Sequence, residues 1–167
     1  VTLAAVGVSL GGNVLLKYLG EEAESSALEA AAVLSVPFDL AAGGAAMERG
    51  FARRYVARLL GSLKRKVRER AKDFGRVIDV SRVISARTFR EFDDAATARL
   101  HGFEDADDYY RRCSSAAFIP AVRTPTLVVH SRDDPFLPEA AIPFDGLEAN
   151  DSVTPVVTDL GGHVGFA

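Results

Sequence analysis

The sequence predicts an α/β fold built on a mostly parallel sheet. Four short, valine-rich apolar runs are spread along 167 residues. Helical patterns lie between them, as the crossovers of a parallel sheet require. The first run passes into a helix at Ser9 with no loop between them. With 48% apolar and 26% charged residues, the composition is ordinary for a globular chain. The length suits one domain around a single hydrophobic core.

Taken in order, residues 1–8 form an apolar run expected to be a strand buried on both faces. Residues 10–19 follow a helical pattern that Gly20 closes. Residues 30–36 are a second buried-strand candidate ended by Pro37, and residues 126–130 a third, preceded by Pro125. Residues 153–158 are a fourth. Pro155 within it cannot donate to a ladder, which suits an edge or a strand start. This divides the chain into residues 1–37, a mainly helical cap-like insertion at 38–123, and residues 124–167, which carry two loops at strand ends.

The clearest element of the insertion is a helix over residues 51–72. There Phe51, Tyr55, Leu59, Leu63 and Val67 recur every four residues as an apolar stripe. Arg53, Arg54, Arg58, Lys64, Arg65, Lys66, Arg68 and Arg70 mostly occupy the other faces. A shorter helical stretch spans residues 105–113.

The net charge of −3 gives no reason to expect a nucleic acid partner. It conceals an asymmetry, because residues 49–76 hold 11 of the 20 Lys and Arg against only Glu69 and Asp73. Such a basic amphipathic helix is read first as the solvated face of a cap. Its second reading is peripheral contact with a membrane surface. No apolar run reaches the roughly 18 residues that span a bilayer, and no basic-then-apolar signal segment opens the chain. The single cysteine, Cys113, cannot form an internal disulfide. Together these lead to an expected cytoplasmic location.

The chemistry gathers at Gly7-Val8-Ser9-Leu10-Gly11. In Gly-x-Ser-x-Gly the serine sits on a tight strand-to-helix turn that lifts its hydroxyl above the sheet. Gly7 and Gly11 are expected because the turn leaves no room for side chains, with Gly12 adding clearance. The backbone N–H of Leu10 opens the helix and would form one half of an oxyanion hole. A serine hydroxyl is a weak nucleophile, so it needs a base and a carboxylate to orient that base. Both partners follow in the order this arrangement requires. The run 127–130 ends in Ser131-Arg132-Asp133-Asp134-Pro135, at the end of a strand, where ligand sites collect in open α/β sheets. His163 then follows two glycines after the last strand. Asp134 is the favoured acid, Asp133 the fallback. Of the other histidines, His101 reads as a surface residue and His130 as a packed core histidine. No His, Cys or carboxylate spacing suggests a metal site, no phosphate-binding lysine accompanies the glycines, and no cofactor is expected.

Residues 7–21 (GVSLGGNVLLKYLGE) closely resemble the corresponding turn of the YheT-like branch of the α/β-hydrolase superfamily, which includes eukaryotic abhydrolase-domain lipases and esterases. Residues 35–40 (SVPFDL), 101–110 (HGFEDADDYY), 133–138 (DDPFLP) and 161–166 (GGHVGF) are similar to further blocks of that family, in its order. The resemblance implies the C-terminal portion of an α/β-hydrolase fold. It also implies Ser9 as nucleophile, Asp134 as orienting acid and His163 as base, acting on small-molecule carboxylic esters, lipid-like ones among them. The family places further strands, and a loop supplying a second oxyanion amide, ahead of this turn. Neither precedes Val1, so these 167 residues by themselves are expected to be inactive.

Overall fold

The computed structural model describes residues 3–166. The first two residues of the expected first strand, and Ala167, lie outside the described residues. The chain divides into two compact units: residues 1–43 with 113–167, and residues 44–112.

The first unit is built on a four-stranded, wholly parallel sheet: β1 (Ala4–Val8), β2 (Ala30–Leu34), β3 (Thr126–Ser131) and β4 (Val153–Thr158), side by side in that order. Val6, Ala32 and Leu127 stand in one row across successive strands, and Val8, Leu34, Val129 and Val156 in another. The helix α1 (Leu10–Glu22) follows β1 directly. Buried Leu16 and Leu19 of α1 join Val33, Val128, Ile119, Val122, Ile142 and Leu147 in one core under a single face of the sheet. A 3₁₀ segment (Ser115–Ala121) and a short helix further along the chain supply part of that core. Phe38, Ile119 and Val122 belong to it, so residues 38–43 and 113–123 pack with the sheet, and the compact helical unit is narrower than the 38–123 insertion expected from sequence. Deleting a side chain such as Leu16 from a core of this kind costs about 2–5 kcal/mol.

One expectation for β1 is corrected. It is not buried on both faces: Gly7 is buried against α1, but Val6 is 72% and Val8 48% exposed. Alternation along a strand puts Val6 and Val8 on the face opposite Gly7. Leu127 and Val156, on that same face by register, are exposed as well.

The second unit is helical. After α2 (Leu40–Met47) come α3 (Ala52–Glu69), α4 (Ala71–Phe74), α5 (Val80–Ser85), α6 (Phe89–Phe92), a π segment (Asp93–Thr97), α7 (Ala98–His101) and α8 (Ala106–Cys113). The Asp79 carboxylate caps α5 by accepting from the amides of Ser81 and Arg82, and Thr88 caps α6 through Glu91. The helix expected over 51–72 ends as α3 at Glu69, with the backbone turning at Arg70 before α4. Its buried stripe also differs from expectation. Val56, Leu60 and Val67 pack with Ile78, Val83 and Phe92, and Ala52 is buried, whereas Phe51, Tyr55 and Leu59 are exposed. The four-residue repeat misses because a 3.6-residue helix rotates such a row about 40° per step. Asp93, in the π segment, accepts from Thr97 Oγ1 at 2.6 Å and from Tyr110 Oη of α8 at 2.8 Å. Burial pushes its carboxyl above the usual range, against the pull of those two bonds. The remaining helix, α9 (Phe144–Glu148), belongs to the first unit.

Candidate active site

Ser9 has φ 53° and ψ −125°, in the left-handed half of the backbone map that a serine rarely enters. The residues around it explain how the chain holds that conformation. The Ser9 amide donates to Leu34 O at 2.8 Å, which ties the turn to β2, and Ser9 O accepts from the amides of Gly12 and Asn13. A Cβ on Gly7 would lie 2.7 Å from Gly11 O and 2.7 Å from Gly12 Cα, which is too close for any side chain. A Cβ on Gly12 would meet Val36 Cγ2 at 2.8 Å. Gly11 has nothing within 4 Å of such an atom, so Gly7 and Gly12 are the sterically required pair, not Gly7 and Gly11.

The Ser9 side chain makes no capping bond to α1. Its Oγ lies 3.0 Å from His163 Nε2, and His163 Nδ1 lies 2.7 Å from Asp134 Oδ2. The Asp134 side chain is fully buried, and Oδ1 accepts from the Phe136 amide at 2.8 Å. Phe136 also sets its ring edge-on to the imidazole, 4.8 Å between centroids. The amide and the ring of Phe136 together fix the plane in which carboxylate and imidazole meet.

Asp133 takes a different part. It accepts from Ser131 Oγ and, at 2.8 Å, from the Gly162 amide, so it braces the loop bearing His163 without touching the imidazole. The Ser131 hydrogen bond, followed by the Gly162 amide, holds its carboxyl below the usual carboxylate range. Gly162 has φ 58°, a conformation that favours glycine.

Two contributors were not singled out from sequence. Ser35, fully buried with φ 50°, donates from Oγ to His163 O at 3.3 Å. Asn13, 2% exposed on α1, donates to Cys113 O at 2.8 Å and accepts from the Ser115 amide at 2.9 Å. It thereby fixes the segment that re-enters the sheet to the helix behind Ser9. Ser35 falls within a family-like block, but a positive φ on serine has no signature in a single sequence.

His130 is fully buried on β3, its ring 5.5 Å from that of Phe38, and neither ring nitrogen has a hydrogen-bond partner among the described residues. It lines a small, mainly apolar pocket with Val36, Pro37, Phe38, Leu137 and Ile142. His101 is exposed at the end of α7, and Cys113 is half-buried. Among the described residues no group of three or more His, Cys, Asp and Glu could hold a metal ion, and no helix is long and apolar enough to cross a membrane.

Comparison with known proteins places the chain in a family. The chain is 41% identical over 169 residues to YheT of Escherichia coli, covering 98% of this chain and 48% of that protein. It is 37% identical to phospholipase ABHD3 of Bos taurus, covering 97% and 40%. It is 34% identical to medium-chain fatty acid ethyl ester synthase/esterase 2 of Saccharomyces cerevisiae, covering 98% and 41%. The chain belongs to the YheT and ABHD branch of the α/β-hydrolases. It spans less than half the length of each of these relatives. Among solved structures, an esterase of Pyrococcus furiosus superposes with a TM-score of 0.54 at 17% identity, covering 98% of this chain and 46% of that one. That likeness shows the α/β-hydrolase fold. No family model matches the chain.

Proposed function

We propose that the protein carrying this chain is a serine hydrolase that cleaves carboxylic esters through an acyl-serine intermediate. The observation that carries the reading is the hydrogen-bonded series from Ser9 Oγ through His163 to the buried carboxylate of Asp134.

In this mechanism Nδ1–H of His163 donates to Asp134 Oδ2, which leaves Nε2 unprotonated and facing Ser9. As Ser9 Oγ attacks the ester carbonyl carbon, its proton passes to Nε2. The carbonyl oxygen becomes an oxyanion, and the Leu10 N–H in the first turn of α1 is one donor to it. The imidazolium, stabilised by Asp134, gives its proton to the departing alkoxide oxygen as the C–O bond breaks. Water then attacks the acyl-serine, loses a proton to Nε2 and releases the acid, and Ser9 recovers its hydrogen. Asp134 stays ionised throughout.

A second reading puts an alcohol in place of that water, giving acyl transfer by the same residues. It is favoured by the similarity to a yeast protein named for both ester synthesis and ester cleavage. Product analysis with ethanol competing against water separates the two.

The test of the main reading uses the full-length protein with a fluorophosphonate probe. Labelling of Ser9 is expected, together with loss of ester turnover in Ser9→Ala. Absence of labelling with undiminished turnover in Ser9→Ala overturns it.

A further inference from the structure

The exposed face of α3 combines two kinds of side chain that water alone does not favour together. The helix carries Arg53, Arg54, Arg58, Lys64, Arg65, Lys66 and Arg68 against one carboxylate, Glu69. Val56, Leu60 and Val67 pack in the core of the helical unit. Phe51, Tyr55 and Leu59 follow one another along an adjacent strip, 67%, 46% and 47% exposed. At about 100° per residue, Arg54, Arg58 and Arg65 fall on one side of that strip, and Lys66 falls within it. The Arg54 guanidinium lies over the Phe51 ring at 5.4 Å, and Phe51 meets Tyr55 edge-on at 5.8 Å. Among the described residues Arg65 reaches Glu69 at 4.0 Å, whereas Arg53, Arg54, Arg58 and Arg68 have no carboxylate within ion-pair distance.

We propose that α3 docks on an anionic phospholipid surface, with Phe51, Tyr55 and Leu59 entering the head-group boundary and Arg54, Arg58, Arg65 and Lys66 meeting the phosphates. Charge complementarity selects this occupant. Residues 49–76 carry 11 basic and two acidic residues, while the other residues carry nine basic and 21 acidic, so an anionic surface attracts α3 and repels the rest. The apolar row distinguishes lipid from other polyanions. A duplex nucleic acid would use the arginines but offers nothing in which to bury Phe51 and Leu59. A bilayer boundary takes both, since long cationic side chains reach back to the phosphates while the rings sink. The inference does not depend on ester cleavage.

The experiment is flotation of the full-length protein with phosphatidylcholine vesicles, with and without phosphatidylglycerol. Binding at least about tenfold tighter to the phosphatidylglycerol vesicles is expected, weakening as salt is raised. Both Phe51→Ser/Leu59→Ser and Arg54→Gln/Arg58→Gln/Arg65→Gln should lower it by about tenfold or more. Their thermal unfolding should match the native protein, because the altered side chains are exposed. Ser9→Ala should bind as the native protein does, which separates this inference from the catalytic one. Absence of binding, or equal binding by the variants, overturns the proposal. Loss in the arginine variant alone also overturns it, pointing instead to a general polyanion surface, which binding to RNA by the Phe51→Ser/Leu59→Ser variant would identify.

Discussion

His163 Nε2 stands 3.0 Å from Ser9 Oγ although 154 residues separate them in the chain. The parallel sheet brings this about. Ser9 follows β1, Asp134 follows β3 and His163 follows β4, all at the same edge, because parallel strands place every carboxyl end together. If the three act as a unit, removing any one removes most of the rate. Ser9→Ala or His163→Ala is expected to lower kcat for an activated ester on the order of 10⁴-fold or more, and Asp134→Asn by a similar factor. Asp133→Asn, which touches only Ser131 and the Gly162 loop, should cost less than about tenfold. Steady-state kinetics on the full-length variants checks this, and equal losses at Asp133 and Asp134 would refute the division of roles.

The glycines near Ser9 make a sharper test of the turn itself. A methyl group on Gly7 would collide with the backbone at Gly11 and Gly12, which cannot yield without breaking the turn. Gly7→Ala is therefore expected to destabilise by about 3 kcal/mol or more. Gly11 lies in the first turn of α1 with open space beside it, and Gly11→Ala should stabilise by up to about 1 kcal/mol. Chemical denaturation of the two variants should move the midpoints in opposite directions.

Much of this arrangement is legible in the sequence, and the boundary is physical. The strand-to-helix junction at Ser9 and the order Ser, Asp, His are local patterns, and each is visible in a few adjacent residues. So is the fourth strand, expected over 153–158 and found there. What is not legible depends on partners distant in sequence. The openness of β1 at Val6 and Val8 depends on what lies across the sheet. The shift of α3's buried stripe to Val56, Leu60 and Val67 depends on where Ile78, Val83 and Phe92 pack. Gly11 looked equivalent to Gly7 because a motif records residue types and not the direction in which each Cα points.

Asn13 is expected to matter for stability beyond its size. Its amide serves the Cys113 carbonyl and the Ser115 amide at once, 100 and 102 residues away, in a buried setting. Asn13→Ala removes the acceptor of the buried Ser115 amide, at about 1–3 kcal/mol, together with the bond to the half-buried Cys113 carbonyl. A loss of about 1–3 kcal/mol in denaturant unfolding is expected. A loss below about 1 kcal/mol would show that solvent reaches these groups and that the tie is not structural.

His130 ties stability to pH. Burial pushes its imidazole below the ordinary value of about 6.5. Asp134 pulls it back upward, and His163 pushes it further down. Among the described residues these two are the charged or titratable groups that act on it. With the folded pKa lowered, the unfolded chain takes up the proton first as the solution is acidified. The stabilising contribution is therefore complete above about pH 6.5 and is lost as pH falls through the folded value. Thermal unfolding of the native chain from pH 8 to 5 should thus show a falling Tm. His130→Leu keeps the volume and removes two unpaired buried nitrogens, so it should fold at pH 8 with equal or greater stability. Its Tm should fall less steeply below about pH 6.5. Parallel Tm profiles for the two proteins would mean that His130 is not held neutral by the fold.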